Sequence, residues 1–120
     1  MAFADASAPR TVHAAGLRMP VTLKAAATIL AGDVITYNSG WTEASSTTAT
    51  HVFVALECGV GAEVIMVSES AYVSSVTGAT AGGIVYAADS GGYASSGTKK
   101  IGVFLSATEM YIGPTTIPAT

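Results

Sequence analysis

Apolar side chains in this chain come in short bursts, most of them at every second position, and the bursts are separated by breaks rich in glycine, serine and threonine. Pro20 to Lys24 alternates apolar and polar residues, the period-two pattern of a half-buried strand, with proline at the end where its missing N–H is tolerated. Asp33 to Tyr37 and Trp41 to Ala44 flank Asn38-Ser39-Gly40, whose turn chemistry joins them as a hairpin. His51 to Glu57, Glu63 to Val67, Ala71 to Val76, Ile84 to Ala87, Tyr93 to Ser95, Ile101 to Ser106 and Glu109 to Ile112 supply further strands. Propensity alone favours a helical turn over Ala25 to Leu30, halted by the turn signal Ala31-Gly32-Asp33. Strands this short, at regular spacing with glycine-rich turns, predict an all-β domain: a small barrel or compact sandwich.

The pattern also repeats. Ala31 to Ser46 opens on Ala-Gly, runs through β-branched and aromatic residues, breaks at Ser-Gly, shows Trp41 and closes on Ala-Ser-Ser; Ala81 to Ser96 does the same, with Tyr93 as its aromatic. Each copy is followed by a polar, threonine-containing loop and an apolar strand, His51 to Ala55 and Ile101 to Leu105. Two pseudo-equivalent β modules are therefore expected, with Val34 and Ile84, and Val52 to Val54 and Val103 to Leu105, lining one core. The two copies keep no chemical group in common, since Asp33 of the first becomes Gly83 in the second, so what recurs is backbone and packing.

Outside the strands, residues 1–19 are alanine-rich, aperiodic and broken by Pro9, and they read as an extended arm. Residues 20–114 form the single β domain, and 115–120 a short tail after Pro114. Phe3, Leu17 and Met19 give the arm apolar anchors and Arg10, His13 and Arg18 polar ones. Such an arm is expected to lie free in the isolated protein and to gain order on a partner.

Composition narrows the function. Half the residues are hydrophobic, yet only 11% are charged, against about 25% in an ordinary soluble domain. The surface must then be largely Ser, Thr, Gly and Ala, which suits a subunit covered by partners. A net charge of −3 with five Lys and Arg leaves no clustered basic face for nucleic acid. No run of about 18 apolar residues suggests a membrane span, and the first twenty residues lack the apolar core of a secretory signal. Cys58 is alone, which excludes an intrachain disulfide, and it is expected to be a small buried residue.

Catalytic patterns are absent. There is no Gly-x-Ser-x-Gly or His-Glu-x-x-His, and Ser96-Gly97-Thr98-Lys99-Lys100 lacks the glycine spacing of a phosphate loop. His13 and His51 have no acidic or cysteine neighbour at ligand spacing, so neither metal nor cofactor is expected. Glu57, Glu63 and Glu69 recur every six residues; on strands that spacing allows a shared face for acid–base work, but solvated positions explain them as well. Trp41 and Tyr93 are candidates for a subunit interface or, alternatively, for stacking on a sugar.

The succession Ile29-x-Ala31-Gly32-Asp33-Val34, a Gly-aromatic turn, a Val-rich strand, Glu63-Val-Ile-Met-Val67, a second Ala81-Gly-x-Ile-Val-Tyr86 and the closing Ile101-Gly-Val103 resembles the small capsid decoration, or cement, proteins of tailed bacteriophages. The resemblance covers roughly residues 20–114 and extends, at Ile29 to Asp33, to β-clip and β-tulip-like domains. It implies a β-barrel subunit, often a homotrimer, bound to the major capsid protein on the outer surface of the virion without contact to nucleic acid or membrane. It also implies a non-enzymatic role in capsid stabilisation, with Phe3, Arg10, His13, Leu17, Arg18, Met19, Trp41 and Tyr93 as candidate capsid or subunit contacts. A carbohydrate-binding module on a virion or cell surface is the alternative, and an acidic site of Glu57, Glu63 and Glu69 a weaker one.

Overall fold

The computed structural model describes residues 3–5, 9–14, 20–37, 39–45 and 53–113. Among these run eleven strands: β1 (Val12–Ala14), β2 (Val21–Lys24), β3 (Val34–Tyr37), β4 (Trp41–Glu43), β5 (Phe53–Ala55), β6 (Val64–Ser68), β7 (Ala71–Val73), β8 (Ile84–Ala87), β9 (Tyr93–Ala94), β10 (Lys100–Phe104) and β11 (Met110–Ile112). They form two antiparallel sheets, one of five strands in the order β2-β6-β5-β3-β4 and one of six in the order β1-β7-β11-β10-β8-β9. The fold is all-β, a small barrel-like sandwich.

With β1 set aside, the two sheets have the same order, β2 to β6 corresponding in turn to β7 to β11. The match reaches single hydrogen bonds. In the first unit the Gly32 N–H donates to the Ala55 carbonyl and the Ala55 N–H to the Asp33 carbonyl, at 2.8 and 2.9 Å; in the second, Gly82 donates to Phe104 and Phe104 to Gly83, both at 2.8 Å. Gly32 and Gly82 hold nearly the same left-handed φ, +84° and +85°, which a side chain would disfavour. The sequence repeat is thus a structural one, and it is longer than the sequence shows.

The five-stranded sheet curls until its ends meet: just past β2, Ala25 bridges in parallel to Trp41 of β4. Ala25, Ile29, Ile35, Ala55, Ile65 and Val67 fill the interior, with Leu23, Trp41 and Phe53 packed around them. The outer side of this barrel presents Val34, Ala44 and Val54 to the larger core, where they meet Val73, Val85, Phe104, Met110 and Ile112 of the six-stranded sheet. Val34 and Ile35 therefore point into different cores and both are fully buried, so β3 reads as a continuous apolar run.

Several expectations are corrected. Ala25 to Leu30 forms no helical turn, because its backbone groups are taken by neighbours: Ala25 donates to Glu63, Ala26 to Trp41 and Ile29 to Gly59, each at 2.8 Å. Val34 and Val54 do share the large core, but Ile84 and Val103 are only half-buried and Leu105 is exposed. A register shift between Lys100 and Gly102 seats Ile101 inward, and Val85, Ile101 and Phe104 take the core positions. Val52 lies outside the described residues, as do His51 and the tail from 114 onward. Cys58 is exposed, with its sulfur 3.3 Å from the Ala31 N–H. Residues expected as a free arm supply a strand instead: β1 pairs with β7 through Val12↔Val73, His13↔Tyr72 and Ala14↔Ala71.

Candidate functional site

Strand pairing aligns one row of side chains across the six-stranded sheet: His13↔Tyr72, Tyr72↔Tyr111, Tyr111↔Val103 and Val103↔Ile84. Alternation sets them on the face opposite the core, since their strand neighbours Val73, Met110, Phe104 and Val85 point inward. His13 is exposed and the other four are half-buried. The row carries no Lys or Arg, with Lys100 beside it opposite Tyr86. The His13 and Tyr72 rings lie nearly parallel, 21° apart with centroids 6.4 Å from one another. At the rim the Tyr72 hydroxyl donates to Glu109 Oε2 and the Ser106 hydroxyl to Oε1 at 2.7 Å. The hydrogen bonds from Tyr72 and Ser106 hold the Glu109 carboxyl below its ordinary range, and the bond to Glu109 raises the Tyr72 phenol.

The duplication gives this face a reference. In the five-stranded sheet the equivalent row is Val34↔Val54 and Val54↔Ser68, and all three are fully buried. The same positions that one sheet hides inside the molecule are apolar and half-open in the other.

Beside the sheets lies a buried charged cluster. Arg10 donates from Nε and Nη2 to the two carboxylate oxygens of Asp5 at 3.0 and 2.9 Å, and from Nη1 to Asp33 Oδ1 at 2.8 Å. Its guanidinium also stands over the Tyr93 ring, 5.1 Å from the centroid. Burial opposes the Arg10 charge, but the hydrogen bonds it donates to Asp5 and Asp33 outweigh that and raise the pKa. Asp33 uses its second oxygen to accept the Leu30 N–H at 2.8 Å. The Tyr93 hydroxyl donates to the Gly32 carbonyl, and burial raises its pKa. Glu43 is pushed up to about 8, first by burial and then by its hydrogen bond with Asp33 and that group's charge, so it holds a proton at neutral pH.

A third feature is an open pocket of about 420 Å³ at the barrel end, lined by Lys24, Ala25, Ala26, Tyr37, Gly40, Trp41 and Ala62. Trp41 is held edge-on between Tyr37 and Phe53, with centroids at 5.1 and 5.6 Å. Its lining side chains bring the Lys24 ammonium, the Tyr37 hydroxyl and the Trp41 indole N–H as hydrogen-bonding groups, the rest being alanine and glycine.

Of the sequence candidates, His13 lies in the outward row and Trp41 on the pocket. Phe3, Arg10 and Tyr93 face inward: Phe3 packs on Phe104 with centroids 5.0 Å apart, and Arg10 and Tyr93 are 8% and 3% exposed. Leu17, Arg18 and Met19 lie outside the described residues. The three glutamates do not converge on one site. Glu57 accepts the Met66 N–H and Glu63 the Val60 N–H, both at 2.8 Å, which gives each a local backbone role. Tyr72, Tyr111, Val103 and Ile84 were missed as surface residues, although Ala71-Tyr72-Val73 and Met110-Tyr111-Ile112 carry the signal: a tyrosine between two core residues of a strand must face the other way. Among the described residues no group of three or more His, Cys, Asp and Glu is placed to hold a metal ion. Comparison with protein-family models, curated proteins and solved structures finds no match.

Proposed function

We propose that this chain is a non-enzymatic structural subunit that docks the outer face of its six-stranded sheet on a larger protein surface. The observation that carries the reading is the row His13, Tyr72, Tyr111, Val103 and Ile84, open to the outside where the duplicated sheet buries the equivalents of Tyr111, Val103 and Ile84. Aromatic residues on a face with few charges are what the centre of a protein interface uses. Together with the sequence resemblance, this favours a decoration protein on the outside of a tailed-phage capsid, bound to the major capsid protein and stabilising the head as a small oligomer, a trimer by that resemblance. The docked subunit acts as a staple, because binding the assembled lattice in preference to free shell subunits stabilises the lattice by mass action.

The test is co-sedimentation with capsids of Tyr72→Ala and Tyr111→Ala variants, checked for folding by circular dichroism. Loss of about tenfold or more in affinity, equivalent to about 1.4 kcal/mol, is expected for each. Folded variants that bind as tightly as the parent would overturn the reading.

The pocket beside Trp41 favours a second reading, a carbohydrate module, since tryptophan and tyrosine flank an open cleft. It is the weaker one because a sugar needs several directed hydrogen bonds and the lining supplies few. A saturable change in Trp41 fluorescence on titration with oligosaccharides, abolished by Tyr37→Ala, would favour it over docking.

A further inference from the structure

The N-terminal residues are seated on parts of the chain remote from them in sequence. Ala4 and Thr77 exchange backbone hydrogen bonds of 2.8 and 3.1 Å, the Arg10 N–H donates to the Ala31 carbonyl at 2.9 Å, Phe3 packs on Phe104, and β1 pairs with β7. The strand that follows, β2, belongs to the other sheet. The N-terminal segment is therefore an appended piece laid into a seat made by both repeated units.

The seat is built for that piece. A Cβ at Gly32 would come within 2.8 Å of the Arg10 Cβ, so the glycine is what lets the arginine stem pass. Asp33 is 1% exposed and Arg10 is the cation bonded to it. A carboxylate so buried is strongly unfavourable without its cation, so the seat favours being filled by this segment or by an equivalent one. The complementary charge that would replace it is present on every copy of the chain. Residues 15–20, which separate β1 from β2 in sequence, reach about 20 Å when extended, enough to pass from one domain to another in contact with it.

We propose that this seat is a binding site for the N-terminal segment of a second copy, so that residues 3–14 exchange between neighbouring subunits and Arg10 of one is held by Asp33 of the next. Exchange of an identical element adds no new contact type and leaves no seat empty, which makes it a low-cost route to an oligomer. It does not depend on the docking face or on capsid binding.

The test uses full-length chains carrying Cys58→Ser, one with Ala4→Cys and the other with Thr77→Cys, mixed at high concentration, unfolded, refolded together and oxidised. Those two positions are hydrogen-bonded partners across the seat, so a disulfide-linked heterodimer requires one copy's segment in the other's seat. A yield about tenfold above that of Ala4→Cys mixed with Ser95→Cys, whose position is exposed, is expected from the raised effective concentration. Equal yields for the two mixtures would overturn the proposal. A second measurement mixes Arg10→Asp with Asp33→Arg. An exchanged pair contains one native seat and one with its charges reversed but complementary. The co-refolded mixture should melt above either variant alone, and a melt that is the sum of the two variants would count against exchange. If either variant fails to fold, the cross-linking yield decides.

Discussion

Arg10 shows how far a single side chain reaches in this molecule. It gathers Asp5, Asp33 and the Tyr93 ring, and so ties the N-terminal segment to the first loop of one repeated unit and to β9 of the other. Arg10→Met keeps much of the stem but leaves Asp33 buried without its cation, and should destabilise the fold by about 3 to 5 kcal/mol in denaturant melts. Arg10→Met with Asp33→Leu should recover much of that loss, because an apolar pair of similar volume restores packing without a stranded charge. Glu43 sets a pH dependence of definite sign. Its folded pKa lies near 8 and its ordinary value is 4.5, so between these the folded state holds a proton that the unfolded state has released. Its contribution to stability is full below about pH 4.5 and is lost as pH rises through about 8. The melting temperature of Glu43→Gln should fall less than that of the parent between pH 5 and pH 9, and parallel curves would show that Glu43 does not titrate in this window. None of this cluster was legible in the sequence. Arg10 sits in an aperiodic stretch and Asp33 in a turn signal, and nothing in either pattern says that two residues 23 apart will share a buried bond.

At the scale of elements, the repeated unit invites a comparison between its own copies. Gly32 and Gly82 occupy the same turn position at nearly the same φ, but a Cβ on Gly32 would strike the Arg10 side chain, whereas one on Gly82 would meet nothing within 4 Å. Gly82→Ala should therefore cost about 1 to 2 kcal/mol from the left-handed conformation alone. Gly32→Ala should cost clearly more, with the excess measuring how tightly Arg10 is seated. Equal losses in chemical denaturation would mean that the arginine stem moves aside freely. The turns and the central strands of each unit were legible, because glycine, β-branched residues and period-two alternation act locally. The correspondence of β2 with β7 and of β6 with β11 was not. Val21-Thr-Leu-Lys24 and Ala71-Tyr-Val73 share no motif, and their equivalence rests on which neighbour each strand pairs with. For the same reason β1 was read as arm: three residues of weak pattern become a strand through the open edge of β7.

For the whole molecule, duplication places two equivalent rows in unequal surroundings, and function on this reading lies in the difference. The first row is folded inward as Val34, Val54 and Ser68, and the second faces outward as Ile84, Val103 and Tyr111, extended by Tyr72 and His13. A face of this kind associates by removing apolar and aromatic surface from water, and among the described residues Glu109 at the rim and Lys100 at the side bring charge to it. Docking on a capsid should then depend weakly on salt and show a negative heat-capacity change, since screening acts on exposed charges while burial of apolar surface sets the heat capacity. If several subunits of one oligomer dock together, the later contacts become intramolecular and raise avidity by about 10² to 10⁴ without further chemistry. Decorated particles should therefore survive heating or osmotic shock that opens bare ones, and should do so about equally at 0.05 and 0.5 M salt, concentrations that shorten the screening length from roughly 14 to 4 Å. Titration calorimetry over a range of temperatures supplies the second reading. A strong fall in affinity with salt, or a heat-capacity change near zero, would assign attachment to charged groups elsewhere on the surface and remove the tyrosine row from the docking face.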